Sequence, residues 1–172
     1  MKTPKRARTH VHHEILIALA ILFPAVCQAQ SNCPWLNGAT ARGILGSSVT
    51  VTVTVDASGQ HTICEFSGER GAVVHRLMVS VNVMTDSSKQ FHVYLSQCPP
   101  KSEHLRAIGN EAVMCSGMTH ENAYAEKVVG RVRNQAFVVS VSSTEEHDPS
   151  MLKEMRRKKA NLVAEQVAGI LF

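Results

Sequence analysis

The residues of this chain best able to hold a metal, attack a carbonyl or move a proton are nine histidines and five cysteines, with glutamates scattered between them. The tightest group is His10, His12 and His13, the most metal-like cluster in the sequence. The other six, His61, His75, His92, His104, His120 and His147, form no His-x-x-x-His pair and have no carboxylate at metal-site spacing. No Gly-x-Ser-x-Gly elbow occurs, and Cys115-Ser116-Gly117-Met118 has no adjacent base. Glu65, Glu69, Glu111 and Glu121 offer carboxylates for acid–base work, at separations a sequence does not define. Gly109-Asn110 reads as a turn or bulge, since no helix follows it to make a phosphate site. The sequence therefore names no catalytic, cofactor-binding or metal-ligating residue.

The histidine cluster lies in a segment with the three parts of a secretory leader. Lys2, Lys5, Arg6 and Arg8 precede an apolar run from Ile15 to Val26, and Cys27-Gln28-Ala29 places small residues where a signal peptidase reads them. The expected cut follows Ala29, giving a signal peptide over 1–29 and a single domain over 30–172. The run is short for a spanning helix, which takes roughly 20 residues, and it contains Pro24. Phe23-Pro24-Ala25-Val26 lacks the pattern of a lipidation signal ahead of Cys27. The leader holds four of the 18 Lys and Arg and one of the 14 Asp and Glu. Fourteen basic residues then face 13 acidic ones, a net +1, so the basic balance of the whole chain does not imply nucleic acid. The expected location is secreted or periplasmic, without stable membrane insertion after cleavage.

Four cysteines, Cys33, Cys64, Cys98 and Cys115, remain in the expected mature chain. An even number in an exported protein is a disulfide pattern, and the absence of Cys-x-x-Cys argues against zinc or redox chemistry. Of the three possible pairings, Cys33 with Cys64 and Cys98 with Cys115 is favoured, because each links neighbouring elements.

The elements that must position these residues follow from periodicity. Pro34 opens a helix to about 45, with Leu36, Ala39, Thr40, Gly43 and Ile44 at helical spacing before Gly46. Val49 to Val55 alternates valine with threonine, the period of a half-buried strand. Return strands follow at 61–67 and 73–84, with Cys64 and Phe66, then Leu77, Val79, Val81 and Val83, facing inward. Asp86 starts a second helix that ends at Cys98 before Pro99-Pro100. Residues 101–107 read as loop, and strands are expected at 111–116, 123–133 and 136–143. Asp148-Pro149 is read as the cap and first turn of a final helix to about 170, with Leu152, Met155, Leu162, Val163, Val167 and Ile170 on its buried stripe. Lys153, Arg156, Arg157, Lys158 and Lys159 are read as its solvated side. The expected class is α+β: helix, three strands, helix, three strands, helix, with an antiparallel sheet and the helices packed on one face.

Cys33-Pro34-Trp35-Leu36 opening a helix, Cys64-Glu65-Phe66 on a strand, and Ala107-Ile108-Gly109-Asn110-Glu111-Ala112-Val113 leading to a cysteine together resemble small secreted bacterial proteins and lipoproteins classed as a domain of unknown function. The resemblance implies an extracytoplasmic α+β domain with no established catalytic residues to carry over. It also implies a lipid anchor in many members, from which this chain departs. Two functional readings follow. The favoured one is a non-catalytic binding or interaction module of the cell envelope, with an envelope protein or small ligand as partner and no cofactor. The alternative is a small extracytoplasmic hydrolase whose residues meet only in three dimensions.

Overall fold

The computed structural model describes residues 32–172 apart from Lys101 and His120; the expected leader and its cleavage position lie outside the described residues. The elements run α1 (Gly38–Leu45), β1 (Thr50–Val55), β2 (His61–Arg70), β3 (Val73–Val83), α2 (Ser87–Leu95), β4 (Glu103–Leu105), β5 (Glu111–Met118), β6 (Tyr124–Val132), β7 (Gln135–Ser143) and α3 (Lys153–Leu171). The strands form one antiparallel sheet in the order β1-β2-β3-β7-β6-β5-β4. An antiparallel sheet with three helices agrees with the α+β expectation.

Each strand's period-two pattern sets which face its side chains join. The register pairs Leu77 with Val141, Val79 with Val139 and Val81 with Phe137 across β3 and β7, and Cys64 with Val79 across β2 and β3. These side chains are buried beneath α1 and α3. Cys33, just before α1, lies at disulfide distance from Cys64, with Cα atoms 5.7 Å apart. The α1 helix starts later than Pro34 suggests: Asn37 caps it by accepting the Thr40 N–H at 2.8 Å, and Gly46 closes it at φ 73°.

The structure corrects the sequence reading in further places. Residues 103–105, expected as loop, pair with β5 as a fourth strand of the second half; three residues are too few to show a period. The helices occupy both faces, because Met84, Val113, Val129 and Val138, on the opposite strand phase, are also apolar and pack under Phe91 of α2. Finally, α3 is rotated relative to its expected stripe. It buries Ala160, Val163, Ala164, Val167 and Ala168, and leaves Leu152, Met155, Leu162 and Ile170 exposed. Alanines four residues apart form a low ridge that lets the helix lie close against β6 and β7.

The start of α3 differs for an electrostatic reason. Asp148 does not cap the helix, which begins at Lys153 without a side-chain cap. Its carboxylate accepts instead from the Ser150 N–H at 2.9 Å, the Ser150 hydroxyl at 2.8 Å and the buried His75 Nε2 at 2.5 Å. Burial pushes the Asp148 carboxyl up, but the bonds from Ser150 and the His75 pairing outweigh it and hold the group below its usual range. Arg156 fills the space beside this turn, donating to the Met151 carbonyl at 2.7 Å.

A close approach on β6 requires a glycine. Gly130 lies opposite Phe137 on β7, and a Cβ there would meet the Phe137 ring at 2.3 Å. Gly130→Ala is expected to overpack the core and cost about 1–3 kcal/mol, measured as a lower urea midpoint. A second prediction concerns acid. A carboxyl lowered on folding stabilises fully above its ordinary value near pH ~4, and that stabilisation is lost as pH falls through the lowered folded value. Asp148→Asn is expected to cost about 2 kcal/mol at pH 7 and to flatten the urea midpoint between pH 4 and pH 2; a variant with wild-type stability at both ends contradicts this role.

Candidate functional site

Because α2 has only nine residues, it covers one end of the second sheet face and leaves the rest open. The open part is a cleft of about 630 Å³. Its floor is Ile63 and Met78, running to the buried Val129 and Val138 at the margin of the α2 cluster, interleaved with the largely buried hydroxyl side chains of Ser80, Ser140 and Ser142. The interleaving follows from register: Ser80 pairs with Val138 and Met78 with Ser140 across β3 and β7, so apolar and hydroxyl side chains alternate over one surface.

Two structures wall the cleft. On one side is the C-terminal end of α2, a helix started by Asp86, whose carboxylate accepts the Lys89 N–H at 3.2 Å, and stopped before Pro99-Pro100. It is pinned twice: Cys98 lies at disulfide distance from Cys115 on β5, with Cα atoms 5.6 Å apart, and the Tyr94 hydroxyl accepts from Asn82 Nδ2 on β3 at 2.8 Å. On the other side is the β5–β6 turn, where the Thr119 N–H donates to the Ala123 carbonyl at 2.9 Å. Glu121, from that turn, forms an ion pair with Arg76 of β3.

Arg76 is the better-compensated cation of the cleft. Glu65 Oε1 lies 3.3 Å from its Nε, at ion-pair distance but without hydrogen-bond geometry, and Glu121 meets Nη1. One guanidinium thus faces two carboxylates. Lys127 of β6, flanked in register by Cys115 and Ser140, also lines the cleft and makes no ion pair among the described residues.

The histidines are dispersed by the fold. His61 lines the cleft and its Nε2 lies 2.8 Å from Ser80 Oγ. His75 is buried on the opposite face against Asp148. His92, His104 and His147 are exposed on α2, on β4 and beyond β7, and His120 is outside the described residues. Of the four glutamates singled out from sequence, Glu65 and Glu121 meet on Arg76, Glu111 lies 3.9 Å from Arg131, and Glu69 is exposed near the end of β2. Among the described residues no three His, Cys, Asp or Glu side chains gather as a metal site. Sequence reasoning missed Ser80, Lys127, Ser140 and Ser142. The available signal was the serine phase of Val138-Val139-Ser140-Val141-Ser142, which marks a wet face only once the strand is known to lie inside the sheet.

The basic run on α3 is not a continuous charged surface. Arg156 is buried, Arg157 pairs with Glu103 and lies 3.7 Å from the buried Glu126, and Lys159 donates to the Met151 sulfur at 3.3 Å. Burial, with repulsion from Arg70, lowers the Lys159 amine against the pull of Asp148. A more open groove of about 360 Å³ between α3 and β4 is lined by Leu105, Met114 and Leu162 together with Glu103, Glu154, Arg157, Lys158 and Glu165, so its cations face carboxylates in the same groove.

Among protein-family models, curated proteins and solved structures, none matches this chain. No described helix is long and apolar enough to cross a membrane.

The Cys98–Cys115 link holds one wall of the cleft. Replacing both residues by serine opens a 17-residue connection and is expected to destabilise by about 3 kcal/mol in the chain-entropy model. Hydrogen exchange is expected to speed up in residues 87–98 while β3 and β7 keep their protection; uniform loss across the sheet contradicts a local role.

Proposed function

We propose that this chain is an exported, non-catalytic binding module that holds a small, largely apolar ligand bearing one anionic group. The observation that carries this reading is the open second sheet face: an apolar floor, a ring of hydroxyls, and a lysine with no ion-pair partner among the described residues. Ligand sites of roughly 300–1,000 Å³ with apolar linings and a few convergent polar groups are the usual form of small-molecule pockets. Arg76 is more than offset by Glu65 and Glu121, so the attraction for an anion is local to Lys127, with Ser140 beside it as a donor. The floor supplies the apolar contact, and neither wall needs to move to form the site.

Export fits the same picture. Two cysteine pairs at disulfide distance suit an oxidising compartment, and the leader supplies the route, with Ala29 as the last residue removed. The expected partner is a small envelope ligand. Nucleic acid is disfavoured by the near-balanced charge and by the burial and pairing of the α3 basic run.

A hydrolase reading rests on the His61–Ser80 hydrogen bond. The sheet opposes it. The Val83 N–H bonds the Gln60 carbonyl and the Met84 N–H bonds the Asn134 carbonyl, which fixes the alternation of both ladders flanking β3. Val79 and Val81 then direct their N–H groups to β2, and Ser80 directs its own to β7. On β3 no backbone donor beside Ser80 is left to stabilise an oxyanion, and among the described residues no carboxylate bonds the His61 ring.

The test uses 8-anilino-1-naphthalenesulfonate, an apolar dye with a single sulfonate, as probe. One dye per chain is expected to bind, with Lys127→Glu weakening binding at least tenfold, or about 1.4 kcal/mol, and Val138→Trp blocking it by filling the floor. Equal binding by the wild type and both variants contradicts the assignment. Nitrophenyl ester hydrolysis that Ser80→Ala abolishes would establish the enzyme reading instead.

A further inference from the structure

The first strand of the sheet carries an inference independent of the cleft. β1 pairs with β2 in a register running from Thr50 opposite Ser67 to Val55 opposite Thr62. The Asp56 N–H donates to the carbonyl of His61, the residue opposite it in that register, so Asp56 and His61 are a bonded pair. Bonded pairs alternate along an antiparallel ladder, which makes Thr54, Thr52 and Thr50 the residues whose backbone faces β2. The ladder between β2 and β3 gives the same phase, since the Val83 N–H donates to the Gln60 carbonyl. Val51, Val53 and Val55 therefore turn their N–H and C=O groups outward, and no described strand pairs with them.

Natural sheets blunt an open edge with charge, proline, a bulge or brevity. Thr50–Val55 has none of these: it is six residues of alternating threonine and valine, paired with β2 without a break in register, and Val55 is 55 % exposed. The opposite edge, β4, is blunted, being three residues long and carrying Glu103 and His104.

The sequence around the edge is also its own mirror. Reading outward from Val53 gives Thr52 and Thr54, then Val51 and Val55. We propose that two copies of this chain pair through β1, antiparallel about a twofold axis at Val53, joining their sheets into one. Only this kind of register lets outward-facing groups meet outward-facing groups. Val53 then faces its own copy and Val51 faces Val55, three residue pairs exchanging about six backbone hydrogen bonds. Valine meets valine on the face toward α1, and Thr52 meets Thr54 on the other, the like-shaped β-branched pairs that stabilise neighbouring strands. A second copy is the occupant because the match is symmetric and uncharged, and the twofold closes: both edges are used and no further chain can add there.

The test is the solution mass of the full chain, expressed with its leader and purified after export, by light scattering at about 50 µM. The wild type is expected to be a dimer. Thr52→Lys with Thr54→Lys sets lysine against lysine at both Thr52–Thr54 contacts and is expected to give a monomer. Thr52→Lys with Thr54→Glu sets lysine against glutamate there and is expected to remain a dimer. Both place lysine opposite Glu65 of β2, so the fold is retained, as matching circular dichroism spectra would confirm, with the dimeric variant the more resistant to urea because association stabilises the folded chain. A wild-type monomer overturns the proposal, as does the same mass for the two double variants; the wild-type result stands even if a variant fails to fold.

Discussion

The antiparallel seam between β3 and β7 joins two meanders that are far apart in the chain. Nine register pairs, from His75 with Ser143 to Val83 with Gln135, turn two half-sheets into one. Had either meander stood alone, its apolar phase would have lacked a sheet wide enough to carry α1 and α3 together. The seam also commits each side chain to a face. Leu77, Val79, Val139 and Val141 go under the helices, while Met78, Ser80, Ser140 and Ser142 go to the other side. A slip of one residue would exchange these sets, burying serines without partners and exposing the valines.

From that commitment the cleft follows. The second face is apolar enough near Met84, Val113 and Ala136 to require a cover, and α2 supplies one. Beyond the reach of α2 the same face carries hydroxyls and charges that tolerate water. The boundary between covered and wet surface is fixed by Cys98–Cys115 and by the Tyr94–Asn82 hydrogen bond. The site is therefore a consequence of a short helix on a wide sheet, in which the polar groups are held by strands whose backbone is already satisfied.

Much of the fold was legible in the sequence because the strands alternate strictly. Val49 to Val55, Leu77 to Val83 and Phe137 to Val141 announce strands and faces, and the cysteine pairs at disulfide distance are those that linking neighbouring elements favours. What was not legible depends on competition between elements. The apolar stripe through Leu152, Met155 and Leu162 is a reasonable buried face until the sheet is present, when the alanine ridge packs closer. Asp148 has every mark of a helix cap, yet the buried His75 ring, 73 residues away, claims its carboxylate. The cleft was less legible still, since Lys127 and Ser80 carry no motif. Their meaning comes from being on the same face of different strands, where both line one cleft.

The central claim is that the open face between α2 and the β5–β6 turn is the binding surface. Methyl-resolved magnetic resonance during titration with the same naphthalenesulfonate dye tests it most directly. The structure predicts shifts confined to Ile63, Met78, Met118, Val129 and Val138. Shifts centred instead on Leu152, Met155, Leu162 and Ile170 of α3, or none at saturating dye, would contradict it.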